Sequence, residues 1–146
     1  MREEITMKQG YEKAFTDIQS DYISLCLEYA EGKAQEIFAY LYRTESMRMF
    51  NAFFCCDGKI LAASQMQTSC SDEELMQTGR DDISRLEEIC REYEAEVPNE
   101  LKMHYDANTG KYDADISYED YSFKDKVTPM QVFMGWIREE KAKRTV

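Results

Sequence analysis

Two aspartates, Asp113 and Asp115, are the residues whose type and spacing most clearly suggest chemistry. They lie two apart in a stretch that alternates polar and apolar residues, and side chains two apart in a strand point the same way. A pair of carboxylates can act as general acid and base, or bind a divalent cation. Further acidic residues surround this pair and no pocket is evident from the sequence, so the pattern favours a solvated strand face.

Other signatures of catalysis are scarce. The single histidine, His104, lies on the polar side of its strand, which predicts a solvated surface residue. The sequence contains no glycine-rich phosphate loop, no HExxH and no nucleophile elbow. Segment 106–110 (DANTG) resembles a calcium loop at first, but positions six and twelve hold Lys111 and Ser117 where glycine and glutamate are required. We therefore expect a turn there, and no catalytic residue, metal or cofactor in the protein.

The cysteines and the amino-terminal segment indicate a cytosolic protein. The five cysteines are odd in number, include no CxxC pair and accompany one histidine, so they predict neither a zinc site nor a disulfide framework. We expect most of them to be small buried apolar residues. The first residues are polar and include acids, unlike a signal peptide, and no apolar run approaches the roughly 20 residues that cross a bilayer. The cysteines are Cys26, Cys55, Cys56, Cys70 and Cys90.

The net charge of −11 is unevenly distributed. Residues 72–125 hold 17 acidic and 6 basic side chains, whereas residues 126–146 hold 5 basic and 2 acidic ones. Such an acidic field repels nucleic acid and attracts basic partners, whose association it accelerates. From charge alone, a soluble protein with an acidic surface and no such partner is the simpler interpretation.

Periodicity in the first half predicts one helix and three strands. Apolar residues recur at steps of three and four from Tyr11, which predicts an amphipathic helix that ends near Gly32. Strands are predicted at 37–42, 47–56 and 59–66. The pair Asp57-Gly58 between the last two predicts a hairpin, because a type I′ turn needs a positive φ at both central residues.

The second half is predicted to contain a helix, a second hairpin and a final helix. The helix covers about 73–96, with Gly79 as a candidate break and Pro98 as its end. Strands follow around 101–105 and 112–118. The segment 128–131 (TPMQ) then predicts a capping box that opens a helix carrying the only tryptophan. The order α-β-β-β-α-β-β-α predicts a single α+β domain over residues 1–146, with an antiparallel sheet packed against helices.

Several of these segments resemble the YezG-like family of bacterial antitoxins, also called immunity proteins, of polymorphic toxin systems. The resemblance rests on the run 97–106 (VPNELKMHYD), the turn 109–111 (TGK), the acidic strand 113–119 (DADISYE) and a carboxy-terminal helix with Trp136. Upstream, the segment 50–60 looks like the family's central hairpin. The likeness covers roughly residues 35–137, and its motifs are structural rather than catalytic.

The resemblance implies a protein that neutralises a cognate toxin by binding it, commonly a basic nuclease domain. An acidic protein can occupy a surface built for phosphates by mimicking their charge. We expect the outer face of the second hairpin to dock onto the toxin, with tyrosines as aromatic anchors. The alternative functions are an adaptor of unrelated partners and a metal-dependent enzyme that uses the paired aspartates. For Tyr118, the alternative to an interface position is a place in the core. The predicted partner-binding residues are Asp106, Asp113, Asp115, Tyr118, Glu119, Asp120 and Tyr121.

Overall fold

One antiparallel sheet of five strands, with helices on both faces, forms the described part of the chain. The computed structural model describes residues 2–120 and 127–144, with side chains from residue 9 onward. The strand order is β3-β2-β1-β4-β5 and every neighbouring pair is antiparallel, which confirms the predicted α+β fold. In chain order the elements are α1 (Arg2–Ala30), β1 (Glu36–Arg43), β2 (Arg48–Cys56), β3 (Lys59–Ala62), α2 (Asp72–Glu92), β4 (Glu100–Asp106), β5 (Tyr112–Ser117) and α3 (Pro129–Arg144).

Helices α1 and α2 cover one face of the sheet. Aromatic side chains join the layers: Tyr22 of α1 stacks on Phe50 of β2 at 5.1 Å, and Tyr29 stacks on Phe54 at 5.7 Å between ring centroids. The Tyr29 hydroxyl donates a hydrogen bond of 2.6 Å to the carbonyl of Ala63. The side chains between this face and the two helices form most of the apolar core. Burial of their apolar area is the main driving force of folding.

Helix α3 covers the opposite face of the central strands. Trp136 meets the rings of Phe53 and Phe38 edge-on, with centroids 5.0 and 5.7 Å apart, and Phe133 packs beside it against Tyr40. The predicted central strand with two apolar faces is therefore covered on both sides. This second, smaller core fixes α3 across β1 and β2.

The predicted turn and helix cap are both confirmed. Asp57 and Gly58 have φ angles of +51° and +81°, as a type I′ hairpin requires. At the start of α3, the Gln131 N–H donates to Thr128 Oγ1 at 3.1 Å, and the Thr128 N–H donates to Gln131 Oε1 at 2.9 Å. These reciprocal bonds form the predicted capping box.

The start of α1 and the end of β3 differ from the prediction. Helix α1 already begins at Arg2, and β3 ends at Ala62 rather than 66, because Ala63–Gln65 form a 3-10 helix. The side chain of Gln65 folds back and accepts the Ala62 N–H at 2.8 Å, so a local hydrogen bond replaces continued strand structure.

Helix α2 differs from the prediction at Gly79 and at its carboxy-terminal end. Gly79 does not break it, but lies buried inside it where Phe50 packs. The helix ends at Glu92, well before Pro98. Glu94 has a φ of +54°, and the N–H groups of Glu94 and Ala95 donate to the carbonyls of Arg91 and Cys90, at 3.3 and 2.8 Å. This is a Schellman motif, which ends a helix without a proline.

Candidate protein-binding surface

Strand β5 forms one edge of the sheet and carries the predicted aspartate pair. Asp113 lies across from His104 of β4, and Asp115 lies across from Lys102. The two carboxylates share the sheet face on which α3 packs, and the Asp113 side chain is 67% exposed. The period-two pattern therefore predicts their common orientation correctly.

His104 is held in an ionic cluster next to this pair. Its Nε2 lies 2.8 Å from Glu36 Oε1, its Nδ1 lies 3.9 Å from Asp113 Oδ2, and its ring stacks on Phe38 at 4.5 Å. The side chain is 30% exposed. The prediction of a solvated surface histidine is therefore wrong, because β1 and β5 supply partners that alternation along β4 cannot reveal.

The same cluster fastens the end of α3 to β1. Arg144 donates from Nη2 to Glu36 at 2.7 Å and from Nη1 to Glu140 at 2.9 Å, while Lys143 donates to the other Glu140 oxygen at 2.9 Å. Burial by itself would raise the pKa values of Glu36 and Glu140. The hydrogen bonds and positive charges of Arg144 and its neighbours outweigh burial and hold both pKa values below their ordinary range.

A polar cleft of about 350 Å³ separates the β4–β5 hairpin from α3. Asp113, Asp115 and Glu139 contribute carboxylates to its lining, and Lys102 extends over Trp136 with Nζ 5.8 Å from the ring centroid. The cleft can receive a cationic group at its acidic side. Within residues 2–120 and 127–144, no group of three or more acidic, histidine or cysteine side chains is arranged to hold a metal ion.

Asp106 and Asp120, also predicted to bind the partner, make contacts within the fold. Asp106 Oδ1 accepts the N–H groups of Asn108 and Thr109 at 2.9 and 3.3 Å, and so shapes the turn between β4 and β5. Asp120 accepts a hydrogen bond of 2.7 Å from the hydroxyl of Tyr42, a fully buried residue of β1. Each aspartate has a structural task, whatever else it does.

Of the remaining predicted residues, Tyr118 does not join the aspartate pair. Tyr118 is exposed and interacts with Tyr11 of α1, on the other side of the sheet. Burial raises the pKa of Tyr11, and Cys90 and the Tyr118 hydroxyl add to that shift. Glu119 is exposed in the segment that follows β5, and Tyr121 lies outside the described residues. The six predicted residues that the structure describes therefore form no single patch.

The face of β5 toward α1 is apolar, as the alternation along the strand predicts, but it is partly exposed. Tyr112 and Ile116 are 38% and 40% exposed, because α1 lies mainly over the inner strands β1 and β4. A groove of about 410 Å³ runs between α1 and the hairpin, lined by Ile23, Leu27 and Tyr112 among others. The Tyr112 hydroxyl donates to Gln19 Oε1 at 2.5 Å, and burial raises its pKa. The apolar alternation of β5 was visible in the sequence, but its exposure was not.

Comparison of the chain with protein-family models and with curated proteins gives no match. Among the described residues, no helix combines the length and apolar character needed to cross a membrane. The functional interpretation therefore rests on the surface itself, and the resemblance to the YezG-like family stays a prediction.

Proposed function

We propose that this protein is a non-catalytic immunity protein that binds and neutralises a basic toxin domain. The observation that supports the proposal most strongly is the exposed aspartate pair on an edge strand, next to a cleft with an acidic side. The predicted resemblance to the YezG-like family points to the same class of activity. The binding surface includes Asp113 and Asp115, with Glu119 nearby in sequence.

Charge complementarity explains why such a surface suits a nuclease toxin. A nuclease must attract phosphates, so its substrate site is basic, and an acidic inhibitor meets that site with the charge of the natural substrate. Opposite charge also raises the rate of encounter. This rate matters because the inhibitor must bind the toxin before the toxin cleaves nucleic acid. The excess of acidic residues between 72 and 125 supplies this long-range field.

The proposed location is the cytosol, where a toxin that damages nucleic acid acts. The five cysteines are all free thiols, as is usual for proteins in a reducing compartment. Burial raises the pKa of Cys26 to about 12, so this thiol is a poor nucleophile and behaves as an apolar core residue. Thiol chemistry has no part in the proposed activity.

Capture of the partner from the cells that make this protein tests the proposal. Three tagged forms are compared: the unmodified chain, Asp113→Lys/Asp115→Lys, and the charge-matched control Glu88→Lys/Glu92→Lys on the exposed side of α2. We expect the unmodified chain and the control to retain a basic toxin domain in equal molar amount, and the β5 variant to lose it. Consistent capture of an unrelated, harmless protein by all three forms would instead favour the adaptor alternative.

A further inference from the structure

Among the residues that the structure describes, no strand pairs with the backbone groups along the outer edge of β5. The Asp106 N–H donates to the Lys111 carbonyl at 2.9 Å, which makes these two residues a hydrogen-bonded pair of the antiparallel ladder. Hydrogen-bonded pairs recur at every second residue, so Asp113 and Asp115 direct their backbone groups toward β4. The N–H and C=O groups of the alternate residues point away from the sheet, and no strand in the described part of the chain pairs with them. These outward residues are Tyr112, Ala114 and Ile116.

The side chains on either face of this edge define what could pair with it. On the face toward α1, the edge is apolar and continues into the groove beside Ile23 and Leu27. On the face toward α3, it carries Asp113 and Asp115. An added strand would place its alternate side chains on these two faces, because strand side chains point to opposite sides in turn.

We propose that the partner adds a strand to the edge of β5, and that this strand alternates basic and apolar residues. Its basic side chains lie across from Asp113 and Asp115, and its apolar side chains lie beside Tyr112 and Ile116. Main-chain hydrogen bonds supply affinity and the two side-chain rows supply specificity, as in other cases of strand addition. This inference rests on the proposed function for the identity of the partner, but not for the chemistry of the strand.

A second copy of the chain fits the same edge poorly in the register that pairs the whole of β5. Two β5 strands must pair through their outward residues, and pairing centred on Ala114 places Asp113 of one copy across from Asp115 of the other, twice. Like charges directly across from each other destabilise a strand pair. The aspartates therefore disfavour pairing between two copies in this register, and they favour pairing with a basic strand.

The opposite edge of the sheet offers a poorer template. Strand β3 has only four residues, and the N–H of Ala62 is already taken by the side chain of Gln65. The 3-10 helix that follows turns the chain away, and α3 packs against β3. A short edge with a blocked donor adds little to a new strand, so we assign strand addition to β5.

Backbone amide exchange in the full-length protein tests the inference. The probe is a nine-residue peptide that alternates lysine and valine, and the control peptide replaces each lysine with glutamate. We expect the lysine peptide to bind at low salt and to slow hydrogen exchange at the amides of Tyr112, Ala114 and Ile116. The inference is overturned if the lysine peptide binds no better than the glutamate peptide, or binds without protecting these three amides.

Two substitutions separate the backbone contribution from the charge contribution. Ala114→Pro removes an outward donor without removing a bond to β4, whereas the matched control Ala114→Gly keeps the donor. We expect the proline variant to bind the lysine peptide about tenfold more weakly than the glycine variant. Asp113→Lys/Asp115→Lys should reverse the preference, so that the glutamate peptide binds better. If the proline variant folds poorly, the reversed peptide preference of the aspartate variant still tests the inference. A variant that still prefers the lysine peptide would refute the inference.

The outcomes also distinguish this inference from the proposed function. A toxin partner that is neutralised while the three outward amides stay unprotected would overturn strand addition and leave the immunity function standing. Peptide binding with protection of these amides, alongside a captured partner that is no toxin, would uphold strand addition and overturn the immunity function.

Discussion

Gly79 lies inside α2 at a point where only a hydrogen atom fits against the sheet. A Cβ built there would lie 2.1 Å from Phe50 Cδ1 and 2.2 Å from Phe50 Cγ. Phe50 has little room to retreat, since it is 1% exposed and stacks on Tyr22 at 5.1 Å. The Tyr22 hydroxyl in turn donates to the Gly79 carbonyl at 3.2 Å. Gly79→Ala must therefore displace a fully packed aromatic pair.

Two opposing terms set the expected change in stability. Alanine is favoured over glycine in a helix interior by about 0.8–1 kcal/mol. Overpacking of a core costs about 1–3 kcal/mol, and here the added carbon overlaps ring atoms close to the backbone of Phe50, which places the cost at the upper end. We expect a net loss of about 2 kcal/mol, which lowers the Tm of a domain of this size by about 6 °C.

Gly135 of α3 provides a matched control for the same substitution. A Cβ there would meet only Arg138 Nη2, at 3.9 Å, so the helix preference acts alone. We expect Gly135→Ala to raise the free energy of unfolding by up to about 1 kcal/mol. Thermal and urea unfolding followed by circular dichroism at 222 nm measure both variants. The reasoning is refuted if Gly79→Ala is as stable as the unmodified protein, or if both substitutions change stability in the same direction.

Three further predictions concern the ionic cluster, a buried carboxylate and the aspartate pair. The pKa values of Glu36 and Glu140 are lowered by folding, so their stabilisation is present above the ordinary value of 4.5 and is lost as the pH falls through the folded values. Glu36→Gln/Glu140→Gln should therefore flatten the decline of the urea midpoint between pH 6 and pH 3, and an unchanged slope would contradict this. Tyr40→Phe removes a 2.6 Å hydrogen bond to the buried Glu100 carboxylate and should cost about 1.5–3 kcal/mol in urea unfolding, whereas a cost near zero would show that the bond contributes nothing. Millimolar Mg²⁺ or Ca²⁺ should leave the Tm unchanged, whereas a rise that Asp113→Asn/Asp115→Asn abolishes would revive the metal-dependent alternative.

Local patterns in the sequence predict the order of elements well. Period-two alternation identifies the strands around 101–105 and 112–118, and the pair Asp57-Gly58 identifies its own hairpin. Thr128 and Gln131 predict the start of α3, because a capping box involves only one helical turn. Each of these signals depends on residues a few positions apart, which is why one sequence is enough to find them.

Features that join distant parts of the chain are the ones that sequence reasoning misses. The partners of His104 come from β1 and β5, and Glu36 meets Arg144 across 108 positions. The sequence alone suggests that Gly79 breaks the helix, whereas the structure shows that Phe50 packs against it. The position of β5 at the sheet edge depends on strand order, so alternation reveals its two faces but not its exposure. For the candidate site, the sequence predicts the common orientation of the aspartate pair but not the exposure of the apolar row on the other face of β5.

Growth of cells that produce the captured toxin domain tests the central claim most directly. The account predicts that co-production of this protein, or of Glu88→Lys/Glu92→Lys, restores growth, and that Asp113→Lys/Asp115→Lys at equal abundance does not. Growth that stays arrested with the unmodified protein would contradict the immunity function. Full rescue by the Asp113→Lys/Asp115→Lys variant would contradict the assignment of toxin binding to the aspartate edge of β5.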